Sequence, residues 1–489
     1  MSPLFLSVPI LFPIIGGALL PLLRNRSVAA LRVCSEIIVV LTSILVWAGL
    51  FSVHGESAQI YSFAKGFTIE LSLDGSSAFF AGMISIMWPL IMLYAFEYMK
   101  ETSRQASFFA FFVMTYGVTL GVAFSANILT LYVFYEMLSL VTIPLVIYYK
   151  DHESSYAGRK YAAYTIGGAA LAFFAVILTT VYGDADGFAF GGTMSPDEGE
   201  YTIMQIAYLF GFFGFGVKAA VFPFHNWLPT ASVAPTPVTS LLHAVAVVNS
   251  GIFAVIRLTW FVFDPQYLAG TPAQIAALMT AAFTLVFAAV LAVRERHFKR
   301  RLACSTVSNL SYMLFGVLLL TPDGLVAGFA HMLFHSVIKM NLFLCAGAFM
   351  HVTGRSYIYE VSGAGRRMPA TFTIYTVSAL SLTGIPLLSG FVSKWRLIAA
   401  GVAGGSIWSL IGVISLIVSA FLCAIYTLSV SVRAFFPAVE RDLYTGSERR
   451  DAPALMLIPM AFFAAADIAL GVFSGPVIAF FEKIAAGLL

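Results

Sequence analysis

The stretch FGFFGFGVKAAVFPFHNWLP, Phe210 to Pro229, has the apolar density of a membrane span, yet it carries Lys218 among phenylalanines, glycines and alanines and is interrupted at Pro223. A lysine in hydrocarbon is costly and marks function by default. A proline removes a helix hydrogen bond and clashes with the preceding turn. The two are tolerated together only where the freed backbone faces protein or a water-filled cavity.

The surrounding chain is also membrane-like. The 489 residues are 60% hydrophobic and only 10% charged, and the mean hydropathy is +0.90. That composition belongs to a polytopic membrane protein. A crossing needs about 20 apolar residues. About fourteen segments supply them, at 3–23, 28–53, 77–97, 106–125, 127–149, 159–182, 201–225, 236–262, 272–293, 301–320, 323–352, 369–403, 405–436 and 453–482. The expected fold is therefore an all-α polytopic membrane protein. The N-terminal MSPLFLSVPILFPIIGGALL lacks a basic n-region and a small-residue cleavage site, so it reads as the first span and not as a signal peptide.

Basic residues concentrate in the loops after odd-numbered spans. Arg24, Arg26 and Arg32 follow the first, Lys100 and Arg104 the third, and Lys150, Arg159 and Lys160 the fifth. Arg294, Arg296, Lys299, Arg300 and Arg301 follow the ninth; Arg355, Arg366, Arg367, Arg433, Arg441, Arg449 and Arg450 come later. The 183–200 loop is acidic, with Asp184, Asp186, Asp197, Glu198 and Glu200. Because Lys and Arg favour the cytoplasmic side, both termini are expected outside. The net charge of +3 is what this asymmetry leaves and points to no nucleic-acid partner. The four cysteines, Cys34, Cys304, Cys345 and Cys423, lie far apart without the spacing of a metal or iron–sulfur site.

Two spans are interrupted alike. The seventh carries Lys218 and Pro223; the twelfth contains Thr383-Gly384-Ile385-Pro386 and Gly390, with Lys394 just beyond. Interrupted segments in corresponding places of two halves are the mark of transporter repeats with ion sites near the midplane. Five spans separate them, which predicts two five-helix units, spans 4–8 and 9–13. Their odd helix number makes them inverted. Within one membrane domain the divisions fall at 1–105, 106–262, 263–436 and 437–489.

The intramembrane charges form four groups. Glu136 has no basic residue in its own span, and Lys218 is its natural partner; a switchable pair would let Lys218 hold or release a proton. A static pair fixing helix packing is the alternative. His331, His335 and Lys339, at i, i+4 and i+8, share one side of a helix and suit a proton relay. Structural hydrogen bonding and zinc chelation compete there, the latter opposed by the cationic Lys339 and by the lack of H-E-x-x-H. Lys394 either serves the twelfth break or snorkels to the interface. His243 could bridge Lys218 and the histidine stripe, or simply be packed. Asp467 is isolated, at a subunit contact or kept neutral by burial. No Walker A loop, G-x-G-x-x-G fingerprint, cluster-ligating cysteines or haem motif is present, so no cofactor is expected in this chain and its driving energy is expected elsewhere.

The blocks KAAVFPFHNWLPTASVAPTPVTSLLHA, KRRLACSTVSNLSYM, HMLFHSVIK and GIPLLSGFVSK resemble the antiporter-like subunits shared by respiratory complex I, membrane-bound hydrogenases and Mrp-type multisubunit cation/proton antiporters. The resemblance covers nearly the whole chain. It implies fourteen helices, inverted five-helix repeats with broken helices 7 and 12, and proton-translocation roles for Glu136, Lys218, His243, His331, His335, Lys339 and Lys394. Where many relatives have an eighth-helix lysine this chain has Asn249, which cannot titrate, so the step toward Lys339 would rely on His243 and water. The chain is similar to the shorter members, without a lateral helix or an extra C-terminal domain.

The resemblance thus implies a proton-translocating subunit of a redox-driven complex, like an NADH:quinone oxidoreductase or a membrane-bound hydrogenase. Expected partners are other membrane subunits, iron–sulfur redox subunits and the lipid of a prokaryotic cytoplasmic membrane. A subunit of an Mrp-type Na+/H+ antiporter is the second reading. A structural scaffold with an inactive channel is the third.

Overall fold

The computed structural model describes every residue except 1, 26, 54–56, 65–66, 183–186, 195–200, 439–441, 445 and 447. Arg26, Arg441 and the acidic Asp184, Asp186, Asp197, Glu198 and Glu200 therefore lie outside the described residues.

Helices α1 (Ser7–Leu19), α2 (Val28–Ser52), α3 (Gly75–Tyr98), α4 (Gln105–Ala123), α5 (Ile128–Val146), α6 (His152–Tyr182) and α7 (Tyr201–Gly216) follow the first seven expected spans. The short α8 (Trp227–Ala231) leads to α9 (Thr236–Ala244) and α10 (Val247–Arg257), which together form the eighth. After the one-turn α11 (Pro265–Leu268) come α12 (Pro272–Arg294), α13 (Phe298–Leu318) and α14 (Pro322–Thr353). A second short helix, α15 (Ala364–Arg367), precedes α16 (Pro369–Thr383) and α17 (Ser389–Ala403), the two halves of the twelfth span. Then follow α18 (Ile407–Phe435), α19 (Ala454–Val472) and α20 (Gly475–Ala485).

Side-chain caps set the starts of many of these helices, because the first amides of a helix lack partners. Ser27 accepts from Ala30, Asp74 from Ser77, Asn127 from Thr130 and Thr271 from Gln274. Thr321 caps α14, with Pro322 in its first turn and left-handed Gly354 at its end.

Eleven helical segments among the described residues are long and apolar enough to cross a membrane. The three expected spans outside that set are 201–225, 301–320 and 369–403. Two are broken, and the third, α13, carries Lys299, Arg300, Arg301, Ser305, Ser308 and Asn309 on a 21-residue helix. The broken segments fall short in helix length and α13 falls short in hydropathy, and all three line the site described below.

The loops sort into two sets. Those after even spans touch one another: Phe188 N–H donates to Ala126 O, Thr193 N–H to Val262 O and Trp260 Nε1 to Val317 O. Those after odd spans do likewise, as Arg300 pairs with Glu153, His297 bridges Tyr357 and Phe298 N–H donates to Ser356 O. This alternation is what an up-and-down bundle requires.

Two differences from the sequence expectation stand out. Residues between α2 and α3, expected as loop, include an antiparallel hairpin of β1 (Ala58–Ala64) and β2 (Phe67–Leu71). It is stitched to the α4–α5 turn by Asn127 Nδ2 donating to Thr68 O and by Ala126 N–H donating to Glu70 O. Lys299, counted with the basic loops, is buried at the start of α13 and donates to Ala234 O at 2.8 Å.

The bundle is graded from rim to centre. In α2 only 28% of the apolar window is buried, as suits a lipid-facing helix, whereas the window of α14 is 94% buried and that of residues Thr236–Val262 is 100% buried. α14 packs against α9, α13, α16, α17 and α19 and is the axis of the molecule. Charged residues concentrate where lipid is farthest away.

Candidate functional site

The expected polar residues are interior ones. Lys218, His243, Asn249, His335 and Lys339 have no exposed surface, and His331 and Lys394 expose 2% and 6%. Burial of this kind demands partners, and the partners differ from those expected.

Helix α7 ends at Gly216, so Lys218 sits in an unwound turn and not on a helix, and the break begins well before Pro223. Ala220 takes a left-handed conformation (φ 55°) in that turn. Gly251 of α10 lets the two backbones approach, since a Cβ there would collide with the backbone of Lys218 and Ala219. Lys218 Nζ donates to the carbonyl of Tyr135 and lies 3.3 Å from the centroid of the same residue's ring. The Tyr135 hydroxyl in turn donates to Gly214 O (3.3 Å) and Phe215 O (2.9 Å), near the end of α7. Tyr135 thus holds both the lysine and the helix end.

Among the described residues no ion pair joins Lys218 to Glu136. Lys218, the partner expected for Glu136, interacts with it electrostatically without a direct ion pair. Glu136 is half-buried, within electrostatic reach of Lys218, and its Oε1 has no protein partner. Because α7 unwinds before Lys218, the ammonium meets the neighbouring Tyr135 carbonyl.

On α10, Asn249 Nδ2 donates to Ala244 O (2.8 Å) and to Ser336 Oγ (2.7 Å) of α14. The position where relatives are expected to have a lysine therefore already bridges the two helices. The His243 ring packs at a 30° tilt against that of Phe343, with centroids 4.8 Å apart, and neither of its ring nitrogens has a protein partner.

The stripe on α14 comes next. Lys339 Nζ donates to Ser305 Oγ (2.6 Å) and Leu302 O (3.1 Å) of α13, and Ser305 passes its own hydrogen to the Tyr426 hydroxyl at 2.7 Å. His335 lies within electrostatic reach of Lys339, His331, His243 and Lys394, with both ring nitrogens unpartnered. His331 Nδ1 pairs with Ser393 Oγ of α17 at 2.9 Å, and its ring is 6.0 Å from that of His335 and 5.2 Å from Tyr312. Among the described residues no third metal ligand joins these histidines, and Lys339 is beside them.

At the second break Gly384 (φ 101°) ends α16 in the left-handed region, where a side chain is strained. Lys394 reaches back from α17, and its Nζ donates to Leu382 O (2.5 Å) and Thr383 O (3.3 Å), the terminal carbonyls of α16. The negative end of a helix dipole favours a cation there. The alternative of snorkelling to the interface is not what the structure has, since the ammonium points inward. Pro386 lies in the exposed turn between the two halves.

Tyr135, Ser305, Ser336, Ser393, Tyr312 and Tyr426 are partners that the sequence marks only by the place of Tyr135 beside Glu136 and the density of serines on α13. The pair of Arg257 with Asp74, made at 2.5 and 2.9 Å with Ser77 Oγ as third acceptor, was equally unmarked.

The arrangement is thus a string of buried lysines on neutral oxygens, with unpaired imidazoles between them, running through two half-broken helices. Residues 125–422, more than half of the chain, match the family model for the transmembrane region of NADH:quinone oxidoreductase and Mrp antiporters. The chain belongs to this antiporter-like family. One member, the F(420)H(2) dehydrogenase subunit L of Methanosarcina mazei, is 30% identical over 490 residues, 93% of this chain and 70% of that protein. Another, a probable K(+)/H(+) antiporter subunit of Rhizobium meliloti, is 30% identical over 414 residues, 83% of this chain. This antiporter-like chain spans only 40% of the length of that protein. The fold is also that of a chain of the archaeal membrane-bound sulfane sulfur reductase, at a TM-score of 0.85 and 23% identity over 99% of this chain and 97% of that one. The antiporter-like protein is a multi-pass membrane protein whose relatives are subunits of multisubunit membrane complexes.

Proposed function

We propose that this chain translocates protons as a subunit of a redox-driven membrane complex. The observation that carries the proposal is the interior succession from Lys218 through Asn249–Ser336, His335 and Lys339 to His331–Ser393 and Lys394. Each lysine is held by backbone carbonyl or hydroxyl oxygens, which accept a hydrogen bond from the charged or the neutral amine, so proton loss leaves no carboxylate stranded. His243 and His335 have free nitrogens in a closed interior, and a buried imidazole without a partner is costly. Ordered water between them would satisfy both and connect the lysines.

Glu136 would act as the switch. Drawn toward Lys218 it stabilises the ammonium; withdrawn, it leaves the lysine desolvated and ready to release its proton inward. Repeats at 106–262 and 263–436 would supply one half-path each, with the breaks at Pro223, Gly384 and Pro386 giving access from opposite sides. Redox groups would sit in iron–sulfur partner subunits, in a prokaryotic cytoplasmic membrane, with both termini outside. The match to the F(420)H(2) dehydrogenase relative over 93% of this chain supports this reading. A second reading, a member of an Mrp-type cation/proton antiporter that moves sodium or potassium, is supported by the K(+)/H(+) antiporter relative.

Mass spectrometry of the intact complex, purified through a tag on this chain, tests the choice. Co-purifying iron–sulfur subunits are the expected result; antiporter components without them would make the second reading correct. If Lys218→Ala leaves ion movement intact in the assembled complex, the chain is a scaffold instead.

A further inference from the structure

Asp467 of α19 plays no part in the succession above, yet it has no exposed surface. Its Oδ1 accepts hydrogen bonds from Ser381 Oγ (2.7 Å), in the last turn of α16, and from Ser389 Oγ (2.5 Å), the first residue of α17. Ser381 Oγ also receives the Gly390 N–H at 3.1 Å. The carboxyl therefore spans the twelfth break, tied to a hydroxyl on either side and set at the N-terminal end of α17, where helix amides favour negative charge. Its Oδ2, equally buried, has no partner in the protein.

Among the described residues no cation answers it. α19 packs against α3, α14, α16 and α17. On those helices Lys394 is bound to the carbonyls of Leu382 and Thr383, His331 to Ser393, Lys339 to Leu302 and Ser305, and Tyr375 to Thr427 O, while His335, with both ring nitrogens unpartnered, makes no hydrogen bond to Asp467. Arg396 of α17 pairs with Glu482, and Glu97 of α3 with Lys100. An ionised carboxyl enclosed without a counter-charge is costly, so such a group neutralises by taking a proton or draws in a cation. Oδ1 is occupied by two hydroxyl donors, which leaves Oδ2 as the atom that gains and loses the ligand. The helix amides at the α17 terminus oppose a metal ion and leave a proton as the better ligand.

We infer that Asp467 is a proton-binding site at the twelfth break, reversibly protonated on Oδ2 and coupling the separation of α16 and α17 to proton passage beside Lys394. With the proton bound, the site is neutral. With the proton released to water at the break, the anion draws the Ser381 and Ser389 hydroxyls together and clamps the two half-helices. This assignment rests on the proton-translocation reading proposed above.

Infrared difference spectroscopy of the intact complex in nanodiscs, recorded between acid and alkaline pH, tests it without reference to turnover. The expected result is a protonated-carboxyl C=O band that titrates and is missing in Asp467→Asn, with Asp467→Glu restoring a shifted band. Absence of such a band in the wild-type complex, or its persistence in Asp467→Asn, would overturn the assignment, as would a band displaced by sodium at constant pH. Proton uptake by proteoliposomes should fall at least several-fold in Asp467→Asn and recover in Asp467→Glu. Lys218→Ala, measured alongside, separates the two ideas: if it abolishes uptake while Asp467→Asn does not, only the present inference fails, and if neither matters the proton-translocation reading fails too.

Discussion

The two broken helices solve the same problem with different chemistry. At the first break the freed carbonyls at the end of α7 receive a neutral tyrosine hydroxyl, and Lys218 is bound to that same Tyr135 through its backbone. At the second, the carbonyls ending α16 receive the ammonium of Lys394 itself. Lys394 is therefore part of its helix terminus, stabilised by the dipole wherever the proton is carried. Lys218 stands just beyond its helix end, within electrostatic reach of the Glu136 carboxylate. The difference teaches that matching sequence signs, a proline or glycine break with a lysine close by, do not impose matching roles. Under the proposed function the first break would be switched by Glu136, and the second would hold a charge at an exit.

That contrast can be broken in several ways. The largest effect is expected from Lys218→Ala and Lys394→Ala. Each should lower proton translocation by about 100-fold, the scale typical of losing a positioned proton-transfer group, measured by pH-dye uptake in proteoliposomes. Equal loss with opposite response to Glu136→Gln would sharpen the comparison: the Glu136 change should affect the step at Lys218 and spare that at Lys394. Full activity in Lys394→Ala would dissolve it.

Next comes Asn249. Asn249→Ala removes the bond to Ser336 that joins the eighth and eleventh spans, and uptake should fall roughly ten-fold if that bridge orders the path, about the effect of one lost hydrogen bond of 1–1.5 kcal/mol. Asn249→Lys should keep activity, because the site would then carry the titratable group itself. Activity unchanged in the alanine variant would remove Asn249 from the route.

Smaller effects separate the helix ends. Tyr135→Phe deletes the hydroxyl that caps α7 while keeping the ring and carbonyl that hold Lys218, and should cost about 1 kcal/mol of stability. A thermal shift without loss of transport is the expected pattern. The left-handed residues give a mirrored pair: Gly384→Ala should destabilise by about 1–2 kcal/mol, and Ala220→Gly should stabilise by about 1 kcal/mol or less. Both are read as thermal unfolding in detergent, and shifts of the opposite sign would show that the turns are held by something other than backbone strain.

Much of this was legible in the chain because lysine, proline and glycine are expensive in a membrane and so conspicuous. Lys218, Lys339 and Lys394 stand out against apolar spans, and the periodicity of His331, His335 and Lys339 places them on one helix side without any coordinates. Their partners were not legible. Tyr135 is an ordinary aromatic until α7 unwinds at Gly216, a backbone event that places Lys218 beside a carbonyl and not beside Glu136. Asp467 gains meaning only when the fold brings Ser381 and Ser389 around it. Lys299 sits in a basic cluster by sequence, yet the packing of α13 on the turn before α9 buries it. The count of spans was least secure at 201–225, 301–320 and 369–403, because the breaks leave the first and last with helices too short to cross, and the charged and polar side chains of α13 lower its hydropathy.

The most direct test of the central claim is proton pumping by the purified complex carrying Lys339→Ala, reconstituted in liposomes and driven by its native partner reaction, with subunit composition checked by mass spectrometry. Lys339 lies on the axial helix α14 and is bound to Leu302 O and Ser305 Oγ, so the proposed conduit would run through it. An assembled complex that turns over and no longer acidifies or alkalinises its lumen is the predicted result. An assembled complex that pumps at the unmodified rate would contradict the account.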